Sequence, residues 1–208
     1  MNTRKKIISM EVNTTSKDDV LNKVAAWVQE PSGYYICVSN VHMCIETYND
    51  ESFQQVVNQA DLVIPDGRPI YWAQKLLGEK SAQQVRGMDI TLALCEYAND
   101  NKLKIGCYGA SQETLTAMQS KLESLYPNIN IAYAVSPPFR ELLLEEKETT
   151  IKNINESEVD ILFVGLGCPK QERWMAEHKE SLNCVMLGVG AAFDFIAGNK
   201  KHAPKSMQ

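Results

Sequence analysis

Along the chain, short runs of apolar and β-branched residues alternate with longer stretches whose apolar positions recur every three or four residues. The short runs predict strands over residues 6–12, 34–39, 62–64, 103–108, 129–135, 160–166 and 184–189. The run at 160–166 is apolar nearly throughout, as expected of a strand covered on both faces. The longer stretches predict helices. The first starts at Lys17, with Ser16 as its cap and Asp18 and Asp19 in its first turn. It buries Val20, Leu21, Val24, Trp27 and Val28 and stops at Pro31-Ser32-Gly33. Further helices are expected over 42–48, 52–59, 69–77, 88–99, from Ser111 to Tyr126, over 141–155 and from Pro169 to about Leu182, with a short helix or turn over 191–196. Residues 78–86 read as polar and irregular. The alternation of strand and helix is that of an α/β fold with a largely parallel sheet.

The length of 208 residues suits one domain, read here as residues 1–208. Composition narrows the classes of partner. Lys and Arg number 21 against 26 Asp and Glu, a net charge of −5, and the one basic cluster is the tail Lys200-Lys201-His202 with Lys205. A nucleic-acid binder would carry a basic stripe, so no nucleic-acid partner is expected. Six cysteines occur without a CxxC pair, several in strand-like runs, which reads as reduced, buried thiols in the cytoplasm. The apolar stretch after the basic N-terminus, Ile7 to Met10, is too short for a signal-peptide core, and no run reaches the roughly 18 apolar residues of a membrane span.

Candidate chemistry lies where strands end. Three turns carry small residues between a strand and a helix: Gly106 to Ser111, Gly165 to Lys170 and Gly188 to Ala192. Glycine permits close backbone approach, and the free N–H groups of a helix start favour anions. Ligands bind parallel sheets at the carboxyl ends of the strands, so these turns point to a nucleotide or phosphate crevice, or else they are plain tight turns. The middle one adds the charge of Lys170. None is a complete dinucleotide fingerprint or a P-loop, which leaves NAD and ATP without support. Asp66, between Pro65 and Gly67 after a buried run, is either a general base facing a cleft or a turn aspartate. Asn40 is either a sugar contact or a helix cap. Arg86 is a phosphate ligand or a solvated loop cation. Asp194, between Phe193 and Phe195, holds a ribose or base, or serves as a cap. His42, His178 and His202 are isolated, no paired Cys/His spacing occurs, and no metal or other cofactor is expected. Trp174 and Met175 read as core.

Together these segments resemble the WecG/TagA/CpsF family of glycosyltransferases, family 26, over nearly the whole chain. The likeness rests on Val38-Ser39-Asn40 with His42, Ile64-Pro65-Asp66-Gly67, Arg86-Gly87-Met88-Asp89, the long run from Gly165 to Glu172, and Gly188 to Phe195. It implies a Rossmann-like fold with helices on both faces of the sheet. It also implies inverting, metal-independent transfer of a sugar from a UDP-sugar donor to an undecaprenyl-diphosphate-linked acceptor sugar, often GlcNAc. The donor sugar would be N-acetylmannosamine, its uronic acid, glucose or glucuronate. The products would be wall teichoic acid linkage units, common antigen, exopolysaccharide or capsule.

Carried onto this sequence, the resemblance makes Asp66 the catalytic base, with Asn40 beside it in the pocket. Ser39, His42, Arg86, Gly109, Gly167, Pro169, Lys170, Gln171 and Asp194 would bind substrate, with Gly167 to Gln171 around the UDP. It places the enzyme at the inner face of the plasma membrane as a peripheral protein. Two departures stand out. Val38 replaces a frequent threonine, and Ser206 replaces an aromatic residue before Met207-Gln208. The family's basic C-terminal appendage, which docks on the membrane and supplies arginines to the diphosphate, has no counterpart before Gln208. Apolar surface exposed by its absence makes a homo-oligomer the expected assembly. A non-catalytic module binding a nucleotide-sugar or a polyprenyl phosphate is the alternative reading.

Overall fold

The computed structural model describes residues 3–200. The basic tail from Lys201 onward, and with it Ser206, lies outside the described residues.

The chain opens with β1 (Arg4–Ile7) and β2 (Met10–Asn13), followed by α1 (Lys17–Trp27), β3 (Tyr34–Ser39), α2 (Val41–Asn49), α3 (Glu51–Asn58) and β4 (Leu62–Pro65). Next come α4 (Arg68–Leu76), α5 (Gly87–Asn101), β5 (Lys104–Gly109), α6 (Gln112–Leu125), β6 (Asn130–Val135) and α7 (Leu144–Glu156). The chain continues through β7 (Ile161–Gly165), α8 (Lys170–His178), β8 (Val185–Gly188) and α9 (Ala192–Ala197). Strands β3 to β8 form one sheet in the order β4-β3-β8-β7-β5-β6, and every neighbouring pair is parallel.

Helices cover both faces. Residues of α1, α5, α6 and α9 pack on one face around Ile36, Ile105, Phe163 and Leu187. Residues of α2, α3, α4, α7 and α8 pack on the other around Cys37, Val63, Leu162 and Met186. The central strands β7 and β8 are therefore buried on both sides, which explains their unbroken apolar sequence. This arrangement also positions the site. Beyond adjacent strands β3, β8, β7 and β5, the chain leaves alternately for the two faces, to α2, α9, α8 and α6. The diverging connections open crevices along the carboxyl edge of the sheet.

One element departs from the sequence reading. Residues 6–12 are not one strand but a hairpin, β1 and β2, paired antiparallel with Ile7 opposite Met10. The turn is at Ile8-Ser9, with Ile8 at φ 58°. No Gly, Pro or Asn marks it, so the apolar pattern runs straight through the bend. The hairpin closes the open edge of the sheet at β4. The Val63 N–H donates to the Asn13 side chain at 2.8 Å, and Gln74 Nε2 donates to the Asn13 carbonyl at 3.0 Å. Two helix ends also move. Helix α7 begins at Leu144 rather than at residue 141, because Glu146 accepts the Leu143 N–H and pairs with Arg140 ahead of the helix. Helix α8 ends at His178, whose carbonyl accepts the N–H groups of both Ser181 and Leu182 and turns the chain out of the helix.

Candidate active site

A cavity of about 330 Å³ lies at the carboxyl ends of β3, β4 and β8, walled on its fourth side by the turn after β7. Asp66 follows directly on β4. Its backbone N–H and that of Gly67 both donate to the Ser39 carbonyl, at 2.9 and 3.2 Å, so the end of β3 holds the Pro-Asp-Gly turn in place. Val85 N–H donates to the Pro65 carbonyl at 2.8 Å, which brings the start of α5 against the same turn. Asp66 Oδ1 then accepts the N–H of Gly87, the first residue of α5, at 2.7 Å. Burial pushes the Asp66 carboxyl above the usual aspartate range, opposed by that hydrogen bond and by the Arg86 charge. The second carboxylate oxygen makes no hydrogen bond among the described residues and is available for a proton.

Asn40 lines the cavity next to Asp66 and caps α2, its Oδ1 accepting the Met43 N–H at 3.0 Å. The helix-cap reading is the one observed; the cap uses the oxygen, and the amide nitrogen takes no part in it. His42 stands at the rim on α2, with Nδ1 3.9 Å from Glu46. Arg86 lines the wall and is held by a two-pronged contact with Asp89, at 2.7 and 2.8 Å. Gly167 and Gln171 complete the opposite side. The N-terminal ends of α2, α5, α8 and α9 all converge here, and together they favour negative charge.

Other residues singled out by sequence fall elsewhere. Ser39 is fully buried behind the wall, with its hydroxyl donating to the Ile64 carbonyl at 2.7 Å, so it supports the site from below. Gly109 lines neither this cavity nor its neighbour. It has φ 129°, and a Cβ there would lie 2.4 Å from the Gly165 carbonyl carbon, so its glycine serves the close approach of β5 to β7. Asp194 is paired with Lys200 at 2.8 Å, and its neighbour Phe195 lines the cavity instead. Pro169 lies in the turn between the two cavities and lines neither.

The second cavity, of about 230 Å³, sits beyond the ends of β5, β6 and β7. It takes in Lys170, together with Tyr108, Pro137, Pro138, Phe139, Arg140 and Trp174. Trp174 is half-buried against the core and also lines this cavity, stacked at a tilt on Tyr108 with centroids 4.8 Å apart, while Met175 is fully buried as expected. The Pro137-Pro138-Phe139-Arg140 segment lies between β6 and α7 and was not among the candidate site residues, although a proline pair beside an aromatic and a cation is a visible signal. Cys168 and Gly87, which the sequence reading took in only as parts of longer segments, also line the first cavity. The two cavities share the stretch from Gly165 to Gln171 as a common wall. No group of three or more His, Cys, Asp or Glu side chains is arranged to hold a metal ion among the described residues.

Residues 5–208 match the Glycosyl transferase WecG/TagA/CpsF family. The chain belongs to this family and is a glycosyltransferase. Among its relatives is the N-acetylglucosaminyldiphosphoundecaprenol N-acetyl-beta-D-mannosaminyltransferase of Staphylococcus aureus, 28% identical over 201 residues, covering 95% of this chain and 77% of the relative. The enzyme of the same name from Bacillus subtilis is 28% identical over 196 residues, covering 94% and 74%. No helix among the described residues is long and apolar enough to cross a membrane.

Proposed function

We propose that this glycosyltransferase moves N-acetylmannosamine from a UDP-linked donor to the GlcNAc of a diphosphoundecaprenol acceptor, in the assembly of a bacterial cell-surface polymer. The observation that carries the reading is the half-satisfied Asp66 carboxylate in a cavity ringed by helix N-termini. The relatives' names supply the sugars and the lipid. In this reading the donor straddles the shared wall. Its uracil packs among Tyr108, Phe139 and Trp174, its diphosphate lies along Gly167 to Lys170, and its sugar enters the first cavity.

Asp66 takes the proton from the acceptor hydroxyl as that oxygen attacks the anomeric carbon. The bond to the UDP oxygen breaks on the opposite side, so a single displacement inverts the centre. A raised carboxyl is the better base, provided it remains ionised at the working pH. Negative charge gathers on the departing diphosphate, and the start of α8 with Lys170 is placed to stabilise it without a protein-held metal ion. Asn40 and His42 line the side of the cavity from which the acceptor approaches. The lipid-linked acceptor implies work at the inner membrane surface as a peripheral enzyme. A homo-oligomer fits the apolar residues exposed on α2 and α4, among them Ile45, Tyr48, Trp72 and Leu76.

Calorimetric titration with UDP, with and without Mg²⁺ and with NAD and ATP as controls, tests the reading. Binding of UDP alone, indifferent to Mg²⁺, is the expected result. No UDP binding, or a preference for NAD, would remove its support.

A further inference from the structure

Next to the catalytic cavity lies a carboxyl that the reaction does not use. Glu172, on the first turn of α8, is completely buried, and its neighbour Gln171 is 4% exposed. Gln171 Oε1 accepts the Gly167 N–H at 3.1 Å, and Gln171 Nε2 donates to Glu172 Oε1 at 2.7 Å. The Gln171 backbone N–H donates in turn to the Gly167 carbonyl at 2.9 Å. Gly167 is thus tied to α8 by both its polar groups, and it lines the wall between the two cavities.

A carboxamide has an accepting end and a donating end of nearly the same shape, and only its partners decide which way it points. The Gly167 N–H requires the oxygen end. That choice is secure only if an acceptor waits at the other end, and Glu172 is that acceptor. Flipping the amide would set two N–H groups face to face and two oxygens face to face, losing both hydrogen bonds in a buried place. The fold makes room for this pair. A Cβ at Gly188 would lie 2.8 Å from Met175 Cε, 3.1 Å from Gln171 Nε2 and 3.2 Å from Glu172 Oε1.

We infer that Glu172 is a positioning residue, whose carboxyl fixes the orientation of the Gln171 side chain and through it the Gly167 turn that a donor must lie against. The inference rests on the reading of these cavities as the donor site, and it adds a role for a residue outside them. The groups that act on the Glu172 carboxyl are Gln171 and the Cys168 thiol from its own segment and His42 from α2; Glu172 acts in turn on Cys37 of β3. Burial pushes the carboxyl above the usual glutamate range. Both its protonated and its ionised form accept a hydrogen bond through Oε1, so the orienting role does not depend on its charge.

The test compares the full chain with Glu172→Gln, which keeps an acceptor of the same shape, and with Glu172→Met, which fills the space without one. Hydrogen exchange at the Gly167 amide reads the turn directly, and UDP affinity reads its consequence. Glu172→Met is expected to lose about tenfold in Gly167 protection and about tenfold in UDP affinity, the loss of roughly one buried hydrogen bond, while Glu172→Gln keeps both near wild type. In a Gln171→Ala background, Glu172→Met should weaken UDP binding no further. Unchanged Gly167 protection in Glu172→Met, or an equal loss of affinity with and without Gln171, would overturn the inference. Should Glu172→Met fail to fold, Gln171→Met decides alone: it must lose the same protection at Gly167, and retention would refute the tie. If the wild-type chain does not bind UDP, the functional reading falls, while Gly167 protection still decides whether Glu172 orients the turn.

Discussion

The two cavities at the carboxyl edge of the sheet share a wall and differ in almost everything else. The first is built from helix ends, glycines and one buried carboxylate, and among the described residues Asp66 is the only acid that lines it. The second is built from Tyr108, Trp174 and prolines, with Lys170 beside it and with Lys147 and Arg140 paired to Glu177 and Glu146. The first can move a proton and hold developing charge. In the proposed reading the second holds the flat ring of the donor, and the wall between them holds its diphosphate. On the proposed reading, the contrast assigns binding and chemistry to different strand ends, β5 to β7 for the one and β3, β4 and β8 for the other. The Gly165 to Gln171 segment couples them.

The largest blow to this division would come from Asp66. Asp66→Asn should lower kcat by roughly a hundredfold or more, the usual worth of a general base, and leave UDP affinity within about twofold, as read by steady-state kinetics beside calorimetry. A comparable loss of UDP binding would mean that the two cavities are one site. Gly188→Ala sharpens the comparison from the structural side. Its methyl group would press on Met175, Gln171 and Glu172, which should cost about 1–3 kcal/mol in thermal unfolding and also weaken UDP binding through the shared wall. Trp174→Ala should raise the donor KM by about three- to tenfold, the worth of an aromatic contact, with kcat nearly unchanged. A matching fall in kcat would place the reacting sugar nearer Trp174 than the account allows. The smallest effect is expected of Ser39→Ala. Losing the hydroxyl to the Ile64 carbonyl should cost about 1 kcal/mol in unfolding and leave the second cavity untouched.

Much of this arrangement was legible in the amino-acid sequence, because strand ends are marked by local chemistry. Pro65-Asp66-Gly67 and the Gly165 to Glu172 run announce where a buried strand stops and a helix starts, and both fell on cavity walls. Parallel pairing was legible from the alternation of strand and helix, and the covering of both faces from the apolar density of β7. The hairpin at Ile8-Ser9 was not, since an isoleucine in the left-handed region leaves no compositional trace. Nor could local pattern separate Lys170 from Gln171. They are adjacent in sequence, but one helical step of about 100° sends the first toward the aromatic cavity and the second toward Asp66. Ser39 shows the same limit. Its position beside Asn40 suggested a ligand contact, whereas strand alternation turns successive side chains to opposite faces and buries the hydroxyl under the site.

The central claim is that Asp66 is the base, and the pH dependence of kcat/KM in wild type and Asp66→Asn tests it most directly. Burial raises the Asp66 carboxyl, so its basic form is lost as pH falls through a value above the ordinary aspartate range. The wild-type rate should therefore fall along an acid limb centred above that range, and the residual rate of Asp66→Asn should show no such limb. The same acid limb in both proteins would show that another group carries the proton, and the account would be wrong.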